Sequence, residues 1–529
     1  MAGEEMTVQQ LAEMLQYAHG VWVEWFYWVT VIVMFFIHIG FGMYEVGVAR
    51  RKNVGHTLMK NNMLFALILF TFYLFGWWVY GSFMGPNPIN AFIPNYEGNP
   101  YVGGDFGPLS PFMTGNLQEL PPGFMLAFWA AFLLFAQTEG SIISGGMIER
   151  CRISSCVVLA VIVGSFVWIW LAAQGWSNGG WMLKWFGIHD AYASGIIHTI
   201  AGFFLLGCLI NLGPRIGKFD PQGRPRDIPL HNQWMTAVGL FIIVTGFWGF
   251  YFACNVPLII AWDLTLPYWG TVNIFGNPTT LSLVGTNFLM SLAGGMMGGF
   301  TVGRGNPFWT WSGVLMGIIG ASSGNDLYHP FQAFIIGFIT PFIGYKLHYW
   351  VERRFKIDDA VGACAVHGYC GFIGLGIFPG FLLWGYPTGG AYYFGFDYIA
   401  GVTTPWGQFA SALWEAGWAF AIGFVCSWVL KKAKLLRVEP LVELVGLDMS
   451  SPAFGDMYPY FPQLPTDKLP EIDRVQYTEI AKYLGKTRSS RGRFASKDAG
   501  RKDYLPPASP KEMLEDAIRL QRKLMGGIK

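Results

Sequence analysis

Eleven runs of about 20 predominantly apolar residues divide this chain, near 22–46, 62–85, 123–148, 153–174, 191–213, 233–255, 278–301, 306–324, 329–350, 360–386 and 406–430. Backbone amides in lipid find no water, so runs of this length satisfy them internally as helices. Hydrophobic residues make up 53% of the chain and charged residues 13%, which excludes an ordinary soluble domain. The expected fold is an all-α membrane protein of eleven transmembrane helices.

Lys and Arg fix the expected orientation, because positively charged loops stay in the cytoplasm. Arg50-Arg51-Lys52, Arg150 and Arg152, Arg215 to Arg226, Arg304, Arg353-Arg354-Lys356 and Lys431-Lys432-Lys434 follow runs one, three, five, seven, nine and eleven. The opposite loops, including the long stretch 86–122, carry only Lys184. An odd number of spans then places the N-terminus outside and the C-terminus inside. Met1–Gly20 lacks the positive start of a cleaved signal and reads as a short amphipathic helix of the mature chain. The net charge of +2 is a topology signal and no nucleic-acid footprint.

One motif occurs twice. Asp190-x7-His198-x3-Gly202-Phe203 returns as Asp359-x7-His367-x3-Gly371-Phe372. Ionisable residues repeated inside spans mark functional sites of membrane proteins built from two copies of one unit. Spans one to five and six to ten form that repeat, and five spans per unit force the second copy to enter from the other side. The eleventh span is expected to brace the bundle. Gly294-x3-Gly298 and Gly295-x3-Gly299 predict close helix packing in span seven. A transmembrane domain, 1–437, is expected to precede a soluble cytoplasmic tail, 438–529. The tail has a basic stretch from Arg488 to Lys502 and the spacing of a short amphipathic helix from Pro510, a segment suited to a protein partner or to the membrane surface.

Gly47-Val48-Ala49-Arg50-Arg51-Lys52-Asn53, Ser144-Gly145-Gly146-Met147-Ile148-Glu149-Arg150, the two Asp-to-His segments and Gly446-Leu447-Asp448 together resemble the ammonium transporters, the Amt/Mep/Rh family, over about Gly40 to Tyr458. The resemblance implies a homotrimer in the cell membrane with one pore per subunit for ammonium or ammonia. Carried over by position, Phe135 and Phe250 would be the rings gating the outer mouth. Trp176 would flank the recruitment site, Asp190 would support it, and Cys254 would stand where a serine commonly contacts the ion. His198 and His367 would line the lumen.

Those residue types suit the task. Aromatic faces offset the loss of water by a cation through cation–π attraction, ~1–2 kcal/mol each once desolvated. A dry passage beyond them opposes charge, so deprotonation and passage of ammonia follow. Two neutral imidazoles each donate at one nitrogen and accept at the other. Three departures from the family pattern matter. Tyr251-Phe252-Ala253-Cys254 replaces small residues beside Phe250 and would narrow the mouth. Gly362 replaces an acidic residue. Glu139 stands one turn beyond Phe135 and would either point a carboxylate into the pore or pair with a neighbouring helix. A transporter is the leading reading; an ammonium sensor or accessory subunit with a narrowed pore is the other. Neither is an enzyme, and no cofactor or metal is expected: the histidine pair invites haem, but no Cys-x2-Cys-His attachment site is present.

Overall fold

The computed structural model describes residues 7–83, 85, 123–177, 179–257, 271–388, 401–450 and 508–525. The loop 86–122 and the basic stretch Arg488–Lys502 lie outside them. Every apolar run coincides with a helix: α1 (Val8–Val48), α2 (Val54–Ser82), α3 (Gly123–Gly146), α4 (Ile153–Gly175), α5 (Ser194–Leu212), α6 (Gln233–Ala253), α7 (Leu281–Val302), α8 (Pro307–Ala321), α9 (Pro330–Phe355), α10 (Cys364–Leu382) and α11 (Pro405–Lys432). Among the described residues, nine of these are long and apolar enough to cross a membrane. The other two are α8, with 15 residues, and α9, which contains Pro341 and ends on Arg353 and Arg354.

Side chains that cap helix N-termini set the starts. Asn232, Thr280, Asn306 and Thr404 accept from the amides of Met235, Leu283, Trp309 and Gly407, each satisfying a donor the helix leaves open. Thr7 and Gln10 form a reciprocal capping box at the start of α1. Residues from Val8 onward therefore continue directly into the first span, so among the described residues the short helix expected within Met1–Gly20 is the beginning of α1. One glycine, Gly20, costs about 1 kcal/mol and does not break a helix. A departure from an all-α chain lies in the connections. Asn255–Pro257, Thr271–Asn273 and Pro278–Thr279 form a small antiparallel sheet, and Pro387–Thr388 pairs with Gly401–Val402.

The two halves interlock. α1 packs on α6, α5 crosses α10, and α11 lies along α5. Small residues make the crossings possible, since helices in lipid gain from close backbone approach. In α7, a side chain on Gly294 or Gly298 would meet the carbonyls of Phe334 and Phe338 in α9. One on Gly295 or Gly299 would meet those of Gly313 and Trp309 in α8. The two stripes read from sequence thus serve two different neighbours. At the α5–α10 crossing a Cβ on Gly202 would lie 2.2 Å from Gly368 Cα, so Gly202→Ala is expected to cost about 1–3 kcal/mol through forced separation. Thermal unfolding in detergent checks it; an unchanged midpoint would refute the crossing.

The Lys/Arg-rich end is closed by ion pairs. Asp358 accepts from Arg215 through Nε at 2.8 Å and Nη2 at 2.9 Å, and Arg150 donates to the Asp358 carbonyl at 2.5 Å. Glu149, at φ 72°, accepts from Arg50 Nε at 2.6 Å. Burial would raise both carboxyls, but Arg215 with Arg150 holds Asp358 well below the usual range, and Arg50 with Arg215 holds Glu149 below it. The segment after α11 belongs to this end. Asp448 caps the first turn of α2 through the amides of Gly55 at 2.8 Å and His56 at 2.7 Å. Lys52 donates to the carbonyls of Glu443 and Leu444 in α12 (Pro440–Val445).

α13 (Pro510–Met525) returns to the same surface. Ala517 is buried with Ile216 and Leu444, Gly217 N donates to Asp516, and Arg226 pairs with Glu512 at 2.7 Å. The tail helix therefore docks on its own chain. Hydrogen bonds from Ser509, and Arg226 beyond them, lower Glu512 from 4.5 to about 2. A depressed carboxyl contributes stability above its ordinary value and loses it as pH falls through the depressed one. Amide protection over 510–525, taken relative to the intrinsic exchange rate at each pH, is thus expected to be high at neutral pH and to fall as pH drops from 4.5 towards 2; protection unaltered across that window would remove Glu512 from the docking.

Candidate functional site

The repeated motif is repeated in conformation. Asp190 accepts from the amides of Ser194 (2.7 Å), Gly195 (2.8 Å) and Ile196 (2.8 Å), and Asp359 from those of Ala363 (2.9 Å) and Cys364 (2.7 Å). In both copies the third residue after the aspartate is left-handed, Ala193 at φ 67° and Gly362 at φ 71°. Gly362, a departure in sequence, thus fills a position that glycine adopts without strain. Each aspartate starts a wide, π-helical turn, Ser194–Thr199 or Cys364–Tyr369, a local form frequent at functional sites. The turns carry His198 and His367.

These two rings meet. Their Nδ1 atoms are 3.1 Å apart and their centroids 5.1 Å, and both residues are buried. One Nδ1 donates and the other accepts, so the two imidazoles hold opposite tautomers. Among the described residues His198 Nε2 has no hydrogen-bond partner. Phe250 is nearly parallel to His198, at 6.1 Å and 14°, and Phe247 flanks it at 5.9 Å. Above them Phe135 meets Phe250 edge to face at 4.7 Å, and Trp176 meets Phe135 at 5.6 Å. Both phenylalanines are fully buried. On the other side of His367 lies a cavity of about 20 Å³ bordered by Phe41, Tyr44, Ile142 and Val366, room for one molecule the size of water.

Trp176 is tied to the motif through its indole N–H, which donates to the Asp190 carbonyl at 2.8 Å. Ser323, from the second half of the chain, donates to the Asp190 carboxylate at 2.7 Å. Cys254 ends α6 and is buried. Of the bulky residues after Phe250, Tyr251 keeps its ring 6.3 Å from that of Phe250 at 45°. Tyr251 stacks on Tyr192 at 4.6 Å and 5° and bonds Ser322 at 2.6 Å, while Phe252 packs on Trp248. Tyr251 therefore stays beside the Phe135–Phe250 contact, and Phe252 does not. Glu139 is fully buried and neither carboxylate oxygen has a hydrogen-bond partner, so the expected pairing with a polar group is not made among the described residues.

Residues that sequence reasoning passed over include Phe247, Ser323 and Glu415. The last had a signal: it is the one acid in the 28-residue α11, and ionisable residues within spans are functional candidates by default.

The "Ammonium Transporter Family" model matches residues 24–454. Ammonium transporter Amt2 of Archaeoglobus fulgidus is 30% identical over 458 residues, spanning 82% of this chain and 88% of its own. Ammonium transporter Amt1 of Methanocaldococcus jannaschii is 28% identical, over 68% and 80%. Among solved structures, a "Sensor Amt Protein" superposes with TM-score 0.64 at 22% identity, over 82% of this chain and 98% of that one. Candida albicans Mep2 gives 0.59 at 18%, over 80% and 86%. This chain is a multi-pass membrane protein that belongs to the ammonium transporter family.

Proposed function

We propose that this protein carries ammonium across the cell membrane, taking the cation at a mouth formed by Trp176, Phe135, Phe250, Cys254 and Asp190 and passing ammonia along His198 and His367, with Glu139 beside the path one turn from Phe135. The observation that carries the proposal is the Nδ1–Nδ1 contact of 3.1 Å beneath the edge-to-face phenylalanines. A bare Nε2 on His198 offers either a donor or an acceptor to a small neutral molecule, according to its tautomer. The fully buried surroundings disfavour a cation. Selection of ammonium over potassium then follows from chemistry, because potassium has no proton to leave behind.

The same proposal includes eleven spans in an inverted five-plus-five repeat braced by α11, an outer N-terminus, a cytoplasmic tail from 438 and a homotrimer. The Lys/Arg asymmetry and the packing of α1 on α6 and α5 on α10 support the first part of it. A second reading, an ammonium sensor or accessory subunit, is favoured by one feature: α13 docks on the charged end, where a change in the bundle would be felt. Purified protein on a solid-supported membrane, challenged with jumps in ammonium, methylammonium and potassium, is expected to give an ammonium-selective current. Absence of both current and tracer flux from a folded protein would favour the sensor.

A further inference from the structure

One buried histidine has no part in the path described above. His189 and Asp326 are both fully buried, and the imidazole Nε2 donates to Asp326 Oδ1 at 3.1 Å. The ring packs against Phe275 at 5.5 Å and Tyr386 at 6.3 Å, and among the described residues Nδ1 has no hydrogen-bond partner. The other carboxylate oxygen of Asp326 accepts from Asn273 Nδ2 at 2.5 Å, in the three-stranded sheet.

The pair belongs to a clasp of four bonds between two segments. Residues 189–194 lead into α5 in the first half of the chain, and 322–326 follow α8 in the second. Ala191 N donates to the Ser323 carbonyl at 3.0 Å, Ser323 N to Ser194 Oγ at 2.9 Å, and Ser323 Oγ to the Asp190 carboxylate at 2.7 Å. Each segment holds one side of the mouth. On the first, the carbonyl of Asp190, the residue after His189, takes the Trp176 indole N–H at 2.8 Å. On the second, Ser322 and Asn325 bond the Tyr251 hydroxyl at 2.6 and 3.1 Å, and Tyr251 follows Phe250 directly in α6.

Of the four bonds, the one from His189 is the one this clasp can least lose. Asp190 shares its carboxylate among four donors, whereas among the described residues Asp326 accepts from two side chains, His189 and Asn273. A buried carboxylate that loses one of two charge-assisted bonds is driven toward other donors or water, and the segment 322–326 moves with it. His198 is spared, because the amides of Ser194, Gly195 and Ile196 keep their own bonds to Asp190.

We propose that His189 is a positioning residue for the mouth: its bond to Asp326 sets the spacing between Trp176 on one side and Phe250 on the other, so that an incoming cation meets both. It touches neither the cation nor the histidine pair, and the inference rests on the transport reading above.

Graded ammonium jumps on a solid-supported membrane carrying the full-length protein test this. His189→Leu keeps an apolar body against Phe275 and Tyr386 and cannot donate. It is expected to raise the half-saturating ammonium concentration by about tenfold, with maximal current within about twofold of the parent's. His189→Gln offers at the Nε2 position the one donor that is used, and is expected to restore half-saturation to within about threefold of the parent's. His189→Asn carries the same amide on a side chain one methylene shorter and is expected to behave as His189→Leu does, so the comparison stands if the leucine variant does not fold. Unmoved half-saturation in the leucine and asparagine variants would overturn the proposal, as would a fall in maximal current without such a move, or equal behaviour of Asn and Gln. A parent with neither current nor tracer flux would overturn the transport reading and this one with it, whereas a conducting parent with an indifferent His189 would overturn this one alone.

Discussion

Alanine at His198 or His367 is expected to lower the ammonium-driven current by about tenfold or more and to erode selectivity against potassium. The two substitutions should act alike although the residues lie in different halves of the chain. Each removes one partner of the 3.1 Å contact and leaves the other ring buried with an unsatisfied nitrogen. Such a loss costs about 1–3 kcal/mol, and 1.4 kcal/mol is a factor of ten. The His198 substitution also opens space beside Phe247 and Phe250, and the His367 substitution beside Phe41, so a hydrated ion meets a weaker barrier. Currents on a solid-supported membrane after ammonium and potassium jumps measure both effects. Parental current and selectivity in both variants would remove the histidines from the path, while the helices would still fold as they do.

Much of this fold is visible in the sequence because lipid imposes a simple rule. A run of about 20 apolar residues has to become a helix, and each of the eleven runs coincides with one. What hydropathy misses is what hydropathy does not measure. Residues 8–21 are too polar to register as a span, but Thr7 and Gln10 cap them and they continue into α1. The strand pairs at Asn255–Asn273 and Pro387–Val402 depend on partners distant in the chain. The repeated motif marked both histidines, because a duplicated frame is a strong local signal. Successive helical residues point about 100° apart, so Phe252 packs on Trp248 while Tyr251 keeps its ring 6.3 Å from Phe250. Glu415 was overlooked because α11 was treated as a brace, and a brace has no need of an acid. A lone acid in a span is a reason to ask what it faces; here that is Gly195 and Asp190.

Asp190→Ala is expected to be more damaging than Asp359→Ala, although the motif treats them as equivalents. The carboxylate of Asp190 accepts four hydrogen bonds, three from the first amides of α5 and one from Ser323; Asp359 accepts two amides. Hydrogen bonds to a charged group are worth about 1.5–3 kcal/mol each, and stranded buried donors cost about 1–3 kcal/mol, so removing Asp190 is expected to destabilise by roughly 3–5 kcal/mol, against about half that for Asp359. The effects differ in kind too. Ser323 joins Asp190 to the other half of the bundle, and the carbonyl of Asp190 holds Trp176, so its loss loosens the mouth and the turn carrying His198 together. Thermal unfolding of both variants in detergent, with current measured on whatever remains folded, separates these contributions. Equal losses for the two aspartates would mean that each does no more than start its helix. A larger loss at Asp190 would make it the joint between Trp176, which its carbonyl holds, and the histidine pair.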